Sequence, residues 1–148
     1  MGERVKGKVV LVTGAGSVGP GMGNGKASSL LYAREGARLL LADASLAAAQ
    51  ETERLVAAEG GEAVAHRCDV TRDAEVRATV EACLARYGRV DILHNNVGIT
   101  KAGGAVELAE DDWDRILAVN LKSMFLTCKH VLPLMERQGA GAIVNIAS

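Results

Sequence analysis

Five short apolar runs recur along the chain, with longer segments of helical spacing between them. The runs are KVVLVTG (8–14), ARLLLAD (37–43), EAVAHRCDV (62–70), VDILHNN (90–96) and GAIVNIAS (141–148). Rich in aliphatic and β-branched residues, they suit strands covered on both faces of a parallel sheet. The intervening segments carry their own punctuation. Residues 26–35 read as a helix stopped by Gly36, and 45–60 as an alanine-rich helix with Ser45 as N-cap and Gly60 as its stop. Thr71 is placed to cap a third helix over 72–87, whose acidic first turn suits the helix dipole and which Gly88 ends. A glycine-containing loop, GITKAGGAVEL, then leads into a long helix over 110–137. Strands alternating with helices predict an α/β fold: a Rossmann-type, doubly wound parallel sheet with right-handed crossovers, truncated after the fifth strand.

Composition narrows the function. With 148 residues, 49% apolar and 24% charged, the chain is long enough to bury a core as one globular domain. A net charge of -1 with both signs interspersed offers no basic face, so a nucleic-acid partner is not expected. Cys68, Cys83 and Cys128 lie far apart and form no C-x-x-C, which suggests reduced core thiols rather than disulfides or a metal site. No apolar run reaches membrane-spanning length and MGERVKG lacks the apolar region of a signal peptide. Lys6 stands where myristoylation needs Ser or Thr, so a cytoplasmic location is expected.

The stretch 13–28, TGAGSVGPGMGNGKAS, holds six glycines and one proline. Within it, Gly14-Ala15-Gly16-Ser17-Val18-Gly19 fits G-x-G-x-x-G, the dinucleotide fingerprint between a strand and a helix. A helix starting at Gly19 would place Pro20, Gly21, Gly23 and Gly25 in its opening turns, each glycine costing up to about 1 kcal/mol relative to alanine. A start near Asn24, a good N-cap, avoids most of that cost and leaves 18–22 as extra loop. Such a loop lets backbone N–H groups at a helix N-terminus meet an anion such as pyrophosphate. Gly14, Ser17, Gly23 and Asn24 are the candidate contacts. Asp43 ends the second strand, eighteen residues after Gly25. A carboxylate there accepts hydrogen bonds from an adenosine ribose and repels a 2′-phosphate, favouring NAD over NADP, or it is an ordinary strand-end acid.

The long helix raises a different question. Trp113, Ile116, Leu117, Leu121, Met124 and Cys128 form an apolar stripe with Asn120 inside it. A buried amide needs partners to offset its desolvation. Ala118, Phe125 and Leu132 recur beside that stripe, and Val119 and Leu126 lie nearly opposite it. More than one face therefore needs cover, which points to an oligomer built on this helix.

Thr13-Gly14, Asp43, CDV (68–70), NNVG (95–98), VNL (119–121) and IVNIAS (143–148), in that order, make the chain resemble the short-chain dehydrogenases/reductases over its whole length. The family's T-G-x-x-x-G-x-G maps onto Thr13, Gly14, Gly23 and Gly25 once 18–22 are inserted. By resemblance, Asp69 and Val70 would sit against adenine; otherwise Asp69 is a second cap beside Thr71. Asn95 would support the central sheet beside the cofactor ribose, and a purely structural role is equally open. Val97 stands where the family usually has alanine. Asn120 would open its helix and hold a water in a proton relay, or be a satisfied core asparagine. Ser148 matches the catalytic serine that polarises the substrate carbonyl, or is a frayed end.

The resemblance implies NAD-dependent hydride transfer between an alcohol and a carbonyl, with a small-molecule substrate. The family's general acid/base lies in Tyr-x-x-x-Lys, and neither Tyr32 nor Tyr87 has lysine four places on. Residues 1–148 are thus expected to form an incomplete NAD-binding domain, active only with a C-terminal part. The alternatives are a non-catalytic nucleotide-binding module and an S-adenosylmethionine-dependent methyltransferase.

Overall fold

The computed structural model describes residues 2–147. Five strands, β1 (Val9–Thr13), β2 (Arg38–Asp43), β3 (Glu62–Arg67), β4 (Ile92–Asn95) and β5 (Ala142–Asn145), pair in parallel in the order β3-β2-β1-β4-β5. Registers such as Val12↔Leu41, Val12↔His94 and His94↔Val144 bring the C-terminal strand ends to one edge. The order reverses beside β1, where an open α/β sheet places its ligand crevice.

β1 shows why the runs lack polar alternation. Val10 and Val12 pack with Leu39 and Leu41 beneath Leu30 and Ala33 of α1 (Asn24–Arg34) and Val56 of α2 (Leu46–Ala58). Val9 and Leu11 face the other way, toward Val76, Val80 and Cys83 of α3 (Asp73–Tyr87). Alternate side chains serve two cores, so every position must be apolar. Burial pushes the Cys83 thiol up to about 12, and the three cysteines are free, so Cys83 is a core residue rather than a nucleophile.

Ser45 caps α2, its hydroxyl accepting from Ala48 N, and Gly88 closes α3 in the left-handed conformation. The third helix departs from expectation. Its N-cap is Arg72, with no side-chain cap, and Thr71 instead donates its hydroxyl and backbone N–H to Asp69 Oδ1 at 2.6 and 3.0 Å. A carboxylate two residues upstream out-competes the helix end for that hydroxyl.

The long helix is three pieces: α4 (Glu110–Leu117), a π-helical turn (Ala118–Lys122) and α5 (Ser123–Gln138). The expected stripe is not the buried face. Trp113 and Leu121 are 57% and 63% exposed, whereas Val119, Ser123, Leu126, Thr127, Val131 and Met135 are buried. The π turn resets the register, and Ser123 and Thr127 face inward because Val119 O and Asn95 Oδ1 accept from their hydroxyls.

Candidate cofactor site

The glycine-rich stretch wraps the end of β1 and leads into α1. Its helix starts at Asn24, so the late start holds and 18–22 lie outside it. The N-cap is Gly23 rather than Asn24: no side chain caps the helix, Gly23 O accepts from Ala27 N, and Ser17 Oγ accepts from Gly23 N at 2.8 Å. Asn24 is therefore an exposed first-turn residue. The bare first turn leaves backbone donors for an anion.

The close approach comes from Gly14 and Gly25. A Cβ on Gly25 would lie 1.8 Å from Gly14 O and 2.8 Å from Asn96 Nδ2, so only glycine lets α1 meet the turn. Gly14 has φ +66, and a Cβ there would press on Val97 Cγ2 at 3.1 Å. Asn96 Nδ2 donates to Gly14 O at 3.1 Å, Thr52 Oγ1 of α2 donates to Ala15 O at 2.9 Å, and Ala15 N donates to Ala42 O. These bonds hold the turn from three sides. Neither Asn96 nor Thr52 emerges from sequence reasoning; the NNVG turn was the one available signal for the first, and nothing local marks the second.

Asp43 closes the far side. Its Oδ2 accepts from Gly16 N and its Oδ1 from Ser45 N, each at 2.9 Å, so the carboxylate is fixed between the glycine turn and the start of α2. Asp69 and Val70 follow β3 on the same edge of the sheet. Thr71, first by its hydroxyl and then by its N–H, holds the Asp69 carboxyl below the usual carboxylate range. Val70 is buried in the core.

Asn95 and Asn120 are held by the protein itself. Asn95 Oδ1 accepts from Thr127 Oγ1 at 2.8 Å and its Nδ2 donates to Asn145 Oδ1 at 2.9 Å, tying β4 to β5 and α5. Asn120 lies in the π turn, where Ser123 N reaches back five residues to Ala118 O. Its Oδ1 accepts from Ile99 N at 2.8 Å and its Nδ2 donates to Ile99 O at 2.9 Å, clamping the loop after β4 against the opened helix. Ser148 lies outside the described residues. Gly14, Ser17, Gly23, Asn24, Asp43, Asp69, Val70 and Val97 thus gather along the strand ends from β3 to β4, while Asn95 and Asn120 stand toward the β5 side. The arrangement offers a bare helix N-terminus, a turn too tight for side chains, and a carboxylate fixed beside that turn.

Among the described residues no helix is long and apolar enough to cross a membrane, and no cluster of His, Cys, Asp and Glu could hold a metal ion.

A family model described as short chain dehydrogenase matches residues 8–148. An uncharacterized oxidoreductase of Thermotoga maritima is 43% identical over 97% of this chain and 54% of its own length. The D-threitol dehydrogenase of Mycolicibacterium smegmatis is 45% identical over 98% of this chain and 54% of its own length. A crystal structure from Burkholderia xenovorans, assigned to the short-chain dehydrogenases/reductases, superposes with a TM-score of 0.95 at 52% identity, covering 98% of this chain and 57% of that one. A metagenomic short-chain oxidoreductase solved in complex with NADP gives 0.89 at 34% identity, covering 97% and 63%. The chain spans about half the length of the curated relatives it matches. With a family model matched over residues 8–148 and relatives more than 40% identical over nearly all of its length, the chain belongs to the short-chain dehydrogenases/reductases.

Proposed function

We propose that residues 1–148 form the cofactor-binding half of an NAD(H)-dependent enzyme that interconverts a small-molecule alcohol and a carbonyl, active together with a C-terminal part. The observation that carries this is the tie between Asp43 and Gly16 N, which fixes a carboxylate beside the glycine turn and supports reading it as the acceptor for the adenosine ribose. That carboxylate favours two ribose hydroxyls and disfavours a 2′-phosphate, supporting NAD over the NADP held by the metagenomic relative.

When bound, the cofactor supplies hydride exchange at its nicotinamide ring. This chain's residues do the rest. The α1 N-terminus offers N–H donors to the pyrophosphate, Gly14 and Gly25 admit it, and Asp43 with Asp69 and Val70 orients the adenosine. On the β5 side, Asn120 holds the loop after β4 and serves the proton relay, while Ser148 orients the substrate carbonyl. Asn95 acts through its grip on Thr127 and Asn145, keeping the strand ends in place beside the ribose. Proton transfer falls to a Tyr-x-x-x-Lys segment beyond these residues, as the family resemblance implies. Exposed Trp113, Leu117, Leu121, Phe125 and Leu132 support a homodimer or homotetramer built on this arm, and the enzyme's setting is the cytoplasm.

The test is NADH oxidation over a panel of ketones by the complete protein beside residues 1–148 alone. The proposal expects turnover only by the complete protein, the deficit being at least the roughly 10²–10⁴-fold that general acid–base assistance supplies. Comparable rates would place the proton donor inside the 148 residues.

A further inference from the structure

The extra loop at 18–22 is held from below by a buried charge. Lys26 sits in the first turn of α1, 3% exposed, where burial and the positive end of the helix both disfavour a cation. Its Nζ donates to Glu51 Oε1 of α2 at 2.8 Å and to Gly21 O at 3.2 Å. Glu51 is half-exposed, and the Lys26 hydrogen bond, then its charge, holds the Glu51 carboxyl below the usual range.

Little else restrains the loop. Val18 and Met22 are exposed, and Gly19 and Gly21 take φ of +78 and +134 with nothing near their absent side chains. Among the described residues, Lys26 Nζ is the hydrogen-bond donor that reaches 18–22, while Ser17 Oγ and Gly23 N close the loop's base. An ammonium kept at the unfavourable end of a helix, with one bond spent on a loop carbonyl, fixes that loop relative to two helices.

We propose that Lys26 and Glu51 are positioning residues: the Glu51 carboxylate holds the Lys26 ammonium, the ammonium pins Gly21 O, and the pinned loop stands as a rim beside the α1 N-terminus that slows departure of the dinucleotide. The rim's role rests on the cofactor reading above; the clasp itself does not. Lys26 acts through the loop and need not touch the pyrophosphate. Ordering the loop before binding removes that cost from the bound state, and the gain falls mainly on the dissociation rate.

The experiment uses the complete protein, with Lys26→Met, Glu51→Ala, Glu51→Gln, a deletion of 18–22, and the deletion combined with Lys26→Met. Backbone 15N order parameters of residues 18, 19, 21 and 22 are read without nucleotide, and NADH and NADPH dissociation by stopped-flow fluorescence. Lys26→Met and Glu51→Ala should lower the order parameters of the loop and raise the dissociation rate about tenfold. Glu51→Gln, which keeps an acceptor oxygen, should fall between Glu51→Ala and the unmodified protein. In the deletion background Lys26→Met should change neither affinity nor rate, because nothing is left to pin. Should Lys26→Met fail to fold, the two Glu51 variants carry the same comparison from an exposed position. Equal weakening by Lys26→Met with and without the loop would show a direct contact with the anion and overturn the proposal. Unchanged order parameters with dinucleotide binding intact would overturn the clasp. Failure of the unmodified protein to bind either dinucleotide would overturn the cofactor reading and the rim's role with it, and the order parameters would still report whether the clasp exists.

Discussion

Around Gly14 and Gly25 the chain packs backbone against backbone, whereas along the π turn and α5 it lays side chains on the sheet with one face and leaves Leu121 and Phe125 in the open with the other. The first region has no room for a single added carbon. The second has room for many. Where a contact is made by main-chain atoms, residue type is dictated locally; where it is made by side chains, it depends on which face the rest of the fold offers.

The largest effect should come from Gly25→Ala. Its Cβ would fall 1.8 Å from Gly14 O, a main-chain atom that cannot swing aside, so we expect a loss of about 3 kcal/mol or more and loss of dinucleotide binding, read by denaturant unfolding and titration. Gly19→Ala separates space from backbone conformation: nothing lies within 4 Å, φ is +78, and the cost should be only about 1 kcal/mol. Equal effects at the two positions would break the contrast.

Thr127→Val probes the link between the arm and the sheet. It removes the hydroxyl that donates to Asn95 Oδ1 and leaves a buried amide oxygen short of a donor, which should cost about 1–3 kcal/mol in urea unfolding. On the open face, Leu121→Gln with Phe125→Gln should change unfolding of the chain by no more than about 0.5 kcal/mol. The same pair should abolish self-association in light scattering.

The smallest effect is that of pH. Burial holds His94 and His66 below the usual histidine range, so the unfolded chain binds more protons than the folded one as pH falls through about 6.5. Stability should therefore decline with falling pH in that window and level off below the folded-state values. His94 lies against Tyr32, its Nδ1 3.0 Å from the phenol oxygen, and its Nε2 has no partner among the described residues. His94→Gln should flatten the decline in a thermal-melt series.

The same contrast explains what could be read in the sequence. The late start of α1 was legible because proline and three glycines penalise helix wherever they stand. Ser45 as a cap was legible because its partner, Ala48 N, is three residues away. Thr71 looked equally local, yet a nearer carboxylate claimed its hydroxyl. The inward face of the arm was hidden twice: Ser123 and Thr127 count as polar in a pattern although their hydroxyls bond within the protein, and a π turn shifts every position after it. Asn96 and Thr52 hold the glycine turn from 82 and 37 residues away, a separation at which no spacing rule applies.

The central claim is that the glycine turn and Asp43 form one site for a dinucleotide lacking a 2′-phosphate. Its most direct test is titration of the complete protein and its Asp43→Ser variant with NADH and NADPH, followed by fluorescence. The unmodified protein should bind NADH more tightly, and Asp43→Ser should narrow that preference by about tenfold, chiefly by relieving repulsion of NADPH. Equal binding of the two cofactors by the unmodified protein, or a preference untouched by Asp43→Ser, would contradict it.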